Sequence, residues 1–489
     1  MEFTNEHKDI IGTAFLALSI VMLGYMLVSP LNQMIIHVDE YFTVSVLHFP
    51  ITALPQVISY DVHPPFHYLL LKIVSDIISA LGLQANKIFA FKIMSIVPYA
   101  LILVLSLTKI RKEYGYFTAG LFAFSMAVMS EFLAYYSIIR MYSWAMLFVI
   151  LAYVFLRDVL DKNDTKSWML LTIFSVLAAY THYFAALPIV CIYVVLLVYI
   201  YLNNKEMLKN WLISAAAGVI LFVPWIFSLM HQLAFVSEGF WIPKITMKNI
   251  IGLLGYFVTS PRNLYTCIFA IVILAVLIVY SARQFRDLDK KDSFYILAGV
   301  IAYFGTIFIG LAVSFISHPI IVDRYLLPSA ALLWFAISIW AGKVKAKKEF
   351  LITFGLILLL LAAGISQLGS CNEFWTTNNW NKEAFFDQIA QDNSSIVINH
   401  PSNRMFYMEY GNTTEMYLLN PPDKLYGYKL SELHDLFDFK EISKEDLPKL
   451  VKNNTDKNIY IISAKPTFDK NLTTQPIIKT NTVSFLEVQ

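Results

Sequence analysis

The sequence is poor in charge, in cysteine and in any nucleotide- or metal-binding spacing. Only 15% of its 489 residues are Asp, Glu, Lys or Arg, against about one-quarter in soluble domains. Its three cysteines, Cys191, Cys267 and Cys371, lie far apart, which excludes a disulfide framework and a cysteine metal site. The net charge of +2 is spread without a basic patch, so nucleic acid is not among the expected partners. No small-residue cleavage signal follows the first apolar run, which is therefore read as a retained anchor. No internal repeat is evident.

Hydrophobic residues make up 57% of the chain, and its mean hydropathy is +0.59. Apolar runs long enough to span a bilayer fall at about 11–30, 88–108, 116–135, 142–158, 167–185, 186–202, 211–230, 263–281, 293–315, 324–341 and 350–367. The expected fold class is thus an all-α polytopic membrane protein of about eleven transmembrane helices. The run 167–202 is expected to split into a hairpin at Thr181-His182-Tyr183 and Pro188. Residues 66–82 are apolar but carry Lys72 and Asp76, so they are expected along the interface.

Lys and Arg crowd one set of loops: Lys109 to Lys112, Arg157 to Lys166, Lys205 and Lys209, Arg283 to Lys291, and Lys343 to Lys348. Basic loops stay in the cytoplasm, which puts the N-terminus inside and the first loop, 31–87, outside. An odd number of spans then places the tail outside. Residues 370–489 are polar and Asn-rich, with strand-like runs at Ser395–Asn399 and Asn458–Ile462 and a helix-like stretch from Asn381 to Gln391. They read as a small extracytoplasmic α/β domain following a transmembrane domain, 1–369. Asn393, Asn412, Asn453 and Asn471 begin Asn-x-Ser/Thr triplets, in keeping with an outer location.

The unusual polar residues collect on the outer side. Asp39, Glu40, Asp61 and His63 lie in the first loop, Glu131 and Arg140 near 130–142, His182 at the hairpin, His231 and Glu238 in a longer loop, and His318, Asp323 and Arg324 at a helix end. Singly, each has a bland reading, such as a snorkelling arginine or a packed histidine. Together they suit an outward cleft acting on a lipid-linked anion. A carboxylate there takes a proton from an attacking hydroxyl, and arginines hold a phosphate.

Four ordered pieces carry a family resemblance: Asp39-Glu40; Asp61-Val62-His63-Pro64-Pro65-Phe66-His67-Tyr68; Arg140-Met141-Tyr142-Ser143 with Thr181-His182-Tyr183-Phe184; and Asp323-Arg324-Tyr325-Leu326-Leu327-Pro328. The chain resembles, over about residues 10–345, the C-type-fold membrane glycosyltransferases of the dolichyl-phosphate-mannose protein mannosyltransferase and aminoarabinose transferase superfamily. The resemblance implies inverting transfer of a sugar from a polyprenyl-phosphate donor to an acceptor hydroxyl outside the cytoplasm, the acceptor being a glycan, lipid or protein. It implies that Asp39 is the base or acceptor-orienting group, with Glu40 its partner or the base in its place. Arg140 and Arg324 become the donor phosphate binders, and Asp61, His63, Tyr142, His182 and Tyr325 line the cleft. A divalent metal stays open as a cofactor, with Glu40, Asp61, His63 and His67 as the ligands on offer. Other classes also stay open: a transporter or lipid flippase, and a non-catalytic scaffold of a glycosylation complex.

Overall fold

The structure is a computed structural model that describes residues 5–28, 38–83, 87–237 and 242–369, and in the tail 396–399, 415–421, 423–425, 428–434, 438–454, 457–463, 475–479 and 484–488. The chain divides into two compact units. The first comprises Met1–Gln33, Val62–Leu70 and Ile77–Cys371; the second comprises Met34–Asp61, Leu71–Asp76 and Asn372–Gln489.

Among the first unit's described residues the regular secondary structure is helical. Its elements are α1 (Asn5–Val28), the ends of α4 (Phe66–Ala80), α5 (Lys87–Leu105), α6 (Arg111–Val128), α7 (Ser130–Tyr136) and α8 (Tyr142–Lys162). They continue with α9 (Thr165–Thr181), α10 (Tyr183–Asn203), α11 (Leu208–Ser237), α12 (Met247–Gly255), α13 (Leu264–Gln284), α14 (Lys290–Ile316), α15 (Leu327–Lys343) and α16 (Lys347–Ser366). The described residues of each expected apolar run are largely helical. Among the described residues, eight helical stretches are long and apolar enough to cross a membrane, making this a multi-pass membrane protein. One stretch, Lys87–Val128, holds two of the runs; at 42 residues it would be about 63 Å long if straight, twice the hydrocarbon thickness. Gly115, at φ 85°, breaks it in a conformation that a side chain would strain.

Several boundaries differ from those read in the sequence. The run 116–135 ends at Val128, where extended Met129 starts the separate short helix α7. The break in 167–202 is His182 alone, and Pro188 lies inside α10. His231, expected in a loop, sits in the last turns of α11, because the apolar pattern continues past Pro224.

Burial ranks the helices. Of the most apolar window, 94% is buried in the Asp323–Lys343 stretch and 83% in α8, against 11% in Lys205–Ala234. α15 and α8 therefore form the centre, and α11 presents its side chains outward. Close backbone approach seats α1: a Cβ on Gly120 would lie 2.1 Å from the Gly12 carbonyl oxygen, and one on Gly12 would lie 2.3 Å from the Tyr116 backbone. With no water to drive helices together inside lipid, small residues that allow such approach supply the packing.

Ion pairs tie four elements together at the basic-loop end. Asp158 of α8 takes Lys109 at 2.8 Å and Lys162 at 2.9 Å. Arg157 reaches Asp161 at 2.8 Å and Asp292 of α14 at 2.6 Å, and Lys343 of α15 also pairs with Asp292. Buried Asp292 is thereby compensated from two sides, which a charge in this setting requires.

The second unit contains α2 (Val38–Val46), α3 (Leu54–Ser59) and the tail. Lys72 donates to the Leu47 carbonyl at 3.1 Å and pairs with Asp76 at 2.8 Å. The tail strands are β1 (Ile396–Asn399), β2 (Glu415–Leu419), β3 (Lys424–Leu425), β4 (Tyr428–Lys429), β5 (Lys440–Ile442), β6 (Ile459–Ser463), β7 (Gln475–Lys479) and β8 (Ser484–Val488), with helices α17 (Leu430–His434) and α18 (Leu447–Asn453). Six strands form one sheet in the order β5-β2-β1-β6-β8-β7, the first four parallel and the last two antiparallel, while β3 and β4 pair separately. Ile396, Leu419, Ile442, Leu447 and Ile459 form its apolar core. This is the α/β tail expected from its strand runs, which fall on β1 and β6. The stretch Asn381 to Gln391 lies outside the described residues, as do Glu238, Cys371, Asn393, Asn412 and Asn471. Asn453 ends α18 and is exposed.

Candidate active site at the helix ends opposite the basic loops

The turn between α7 and α8 delivers Arg140. Its side chain is buried, and an ionised group there must be hydrogen-bonded. Nη1 donates to the Tyr68 hydroxyl of α4 at 3.4 Å, and Nη2 donates to His63 Nδ1 at 3.3 Å. A guanidinium only donates, so Nδ1 of His63 carries no proton. Gln232 of α11 secures the same segment by donating to the His63 carbonyl at 3.3 Å, while its own carbonyl accepts from the Tyr183 hydroxyl.

His182 is the single residue between α9 and α10. Its extended backbone, at φ −158° and ψ 131°, makes it the N-cap of α10, and Nδ1 accepts from the Phe184 amide at 3.1 Å. That bond fixes the tautomer: the proton is on Nε2, and Nε2 has no partner among the described residues. Burial, with His63, Arg140 and Arg324 nearby, holds the ring far below the usual histidine range, so it is neutral. The ring packs against His63 at 5.6 Å, Tyr142 at 5.4 Å and Tyr325 at 4.8 Å between centroids.

Arg324 lies in a one-turn 3₁₀ segment, Asp323–Leu326, that leads into α15 with Pro328 in its first turn. Asp323 accepts from the Arg324 amide at 2.9 Å, and Arg324 Nε donates to the Tyr142 hydroxyl at 3.0 Å. Tyr135 of α7 stacks edge-on against Tyr142 at 4.8 Å. Six residues expected in the site, His63, Arg140, Tyr142, His182, Arg324 and Tyr325, thus form one connected group within the first unit. Two guanidinium groups and one neutral N–H donor belong to it.

Three histidines were expected here, and burial makes their electrostatics uneven. His67 is fully buried on α4; burial first, and Arg140 second, lower it to about 3. Glu131, in the first turn of α7, is pushed up to about 7 by burial and then by the Asp323 carboxylate, with Arg262 opposing.

Asp39, Glu40 and Asp61 belong to the second unit. Asp39 and Glu40 are in the first turn of α2; Glu40 is fully buried, and the side chain of Asp39 lies outside the described residues. Asp61 is buried, its amide donating to the Ile58 carbonyl at 2.9 Å. The four residues on offer to a metal divide between the units, Glu40 and Asp61 in the second and His63 and His67 in the first. Nδ1 of His63 already accepts from Arg140, and His67 is enclosed.

Sequence reading passed over Tyr68, Gln232 and Lys92. Tyr68 reads in the sequence as a plain aromatic beside His67. Lys92 was an ionisable residue inside an apolar run, a recognisable signal; it is buried on α5 and donates to the Ser137 carbonyl at 3.0 Å, bracing the turn that carries Arg140.

No family model and no curated protein matches the chain. Its fold does match solved structures. The crystal structure of ArnT from Cupriavidus metallidurans in the apo state aligns at a TM-score of 0.57 and 11% identity, covering 97% of each chain. The crystal structure of ArnT from the same organism bound to undecaprenyl phosphate aligns at 0.55 and 12% identity, with the same coverage. At such identity the likeness is one of fold, and the C-type membrane-glycosyltransferase fold expected from the ordered motifs is the fold this chain has.

Proposed function

We propose that the protein is a membrane glycosyltransferase that moves a sugar from a polyprenyl-phosphate donor to an acceptor hydroxyl, with inversion, on the extracytoplasmic face. The observation that carries this reading is the group of Arg140, Arg324 and His182, which offers charged and neutral donors to one anion within a fold shared with a protein crystallised with undecaprenyl phosphate. The basic loops set the orientation: N-terminus in the cytoplasm, and the domain from about residue 370 onward outside.

In this mechanism the acceptor hydroxyl oxygen attacks the anomeric carbon from the face opposite the phosphate. The carbon–oxygen bond to the phosphate breaks as the new bond forms, which inverts the centre. The hydroxyl proton passes to the first-loop carboxylate, Asp39, with Glu40 as its partner or the base in its place. The departing polyprenyl phosphate gains a negative charge. Arg140 and Arg324 oppose it, and the His182 N–H adds a donor that carries no charge of its own. His63 holds Arg140 in place, Tyr142 does the same for Arg324, and Asp61 and Tyr325 shape the cleft. Arginine suits this task because its planar fork meets two phosphate oxygens at once.

The test is transfer from a panel of radiolabelled polyprenyl-phosphate sugars in membranes, wild type beside Asp39→Asn. Label reaching an acceptor only in the wild type supports the reading. Transfer at the wild-type rate by Asp39→Asn removes this carboxylate from the base role. Movement of intact donor across vesicles, with no chemical change, would instead favour a transporter.

A further inference from the structure

An apolar cavity lies near the basic-loop ends of α13, α14 and α15. It measures about 320 Å³, and its walls include Leu277 and Ile278 of α13, Leu297 and Val300 of α14, and Ile337 and Trp340 of α15. Ile278 and Leu297 are 45% and 44% exposed, so the cavity opens sideways as a groove at the surface of the bundle. Apolar walls give water nothing to bond, and in a bilayer the natural filling is hydrocarbon.

The loops beside this end carry positive charge. Segments 282–292 and 343–349 together hold eight Lys or Arg against four Asp or Glu. Lys291 and Lys343 are spent on Asp161 and Asp292. Lys290, Lys345 and Lys348 are exposed and have no ion-pair partner among the described residues.

We propose that this groove is a binding site for an anionic glycerophospholipid of the basic-loop leaflet. One acyl chain lies along the α13–α14–α15 groove, and the phosphate faces Lys290, Lys345 and Lys348. The site is distinct from the donor site and does not depend on the catalytic reading.

The test is native mass spectrometry of the full chain in mild detergent, titrated with phosphatidylglycerol and phosphatidylcholine of identical chains. We expect phosphatidylglycerol to be retained about tenfold better, at about fivefold per unpaired lysine near the headgroup less what detergent screens. Leu297→Trp, at the exposed mouth, should cut retention at least tenfold by filling the groove. The pair Lys345→Gln and Lys348→Gln, which leaves the groove and Lys290 intact, should cut the preference to about twofold while phosphatidylcholine still binds. Equal retention of the two lipids by the wild type would overturn the proposal, as would unchanged retention in Leu297→Trp. Displacement of phosphatidylglycerol by undecaprenyl phosphate in the wild type, lost in Leu297→Trp, would assign the groove to a polyprenyl carrier and overturn the stated occupant.

Discussion

His182→Asn separates two duties that one ring performs. Nδ1 caps α10 by accepting from the Phe184 amide, and Nε2–H is left as an unengaged donor. Asparagine is among the best N-cap residues, so its side-chain oxygen can take over the first duty. It is too short to reproduce the second. Fold stability should therefore stay within about 0.5 kcal/mol, whereas His182→Ala, which also loses the cap, should cost about 1 kcal/mol. A hydrogen bond to a charged acceptor contributes about 1.5–3 kcal/mol, so donor affinity in His182→Asn should fall about 10- to 150-fold. The assay is equilibrium binding of a polyprenyl-phosphate sugar to the purified protein, with thermal unfolding alongside. Affinity in the wild type should not change between pH 6 and 8 on account of this ring, because burial keeps it neutral throughout. Unchanged affinity in His182→Asn would refute the donor role. An affinity that drops in the wild type as pH rises through 6–7, and is flat in the variant, would mean that the ring binds as an imidazolium, contrary to the argument.

Arg324→Ala should weaken donor binding about 10- to 150-fold through loss of a charged donor, and acceptor affinity measured separately should hold; an equal loss for both would make Arg324 an anchor. Gly120→Val on α6 should lower thermal stability by about 1–3 kcal/mol or more, because its Cβ would overlap the Gly12 carbonyl of α1, while Gly24→Ala on α1, with open space around it, should be tolerated; equal effects of the two would remove the close-approach argument. Glu131 has a folded-state value raised to about 7, so its contribution is intact below its unfolded value and is lost as pH rises through 7. Glu131→Gln should accordingly stabilise the protein at pH 8 relative to wild type and have little effect at pH 5, as read by thermal unfolding; a gain at pH 5 alone would reverse the assignment.

Helix positions were legible because apolar runs of about twenty residues leave the backbone one way to satisfy its hydrogen bonds in lipid. Their ends were less so. The break at Met129 and the continuation of α11 through His231 depend on neighbours distant in the chain, not on local residue type. Arg140, His182 and Arg324 stood out because ionisable side chains flanking spans are costly and few. How they combine was not readable. That Arg140 spends two donors on His63 and Tyr68, and that His182 is tautomer-locked by its own helix, are facts of three-dimensional adjacency. Gln232 gave no warning, since one amide on a long apolar helix resembles a surface residue until its partners are known.

α8 begins at Tyr142, whose hydroxyl accepts from Arg324, and near its other end carries Arg157 and Asp158 in the ion-pair cluster. Fifteen residues separate Tyr142 from Arg157, about 22 Å along the axis at 1.5 Å each. The helix is thus a ruler with a phase as well as a length. Deleting one residue between those points would turn one end by about 100° against the other, so the tyrosine and the ion pairs could not both keep their partners. Inserting a full turn would restore the facing at the cost of about 5 Å of reach. Along this stretch, substitutions should be accepted far more readily than any change in residue count.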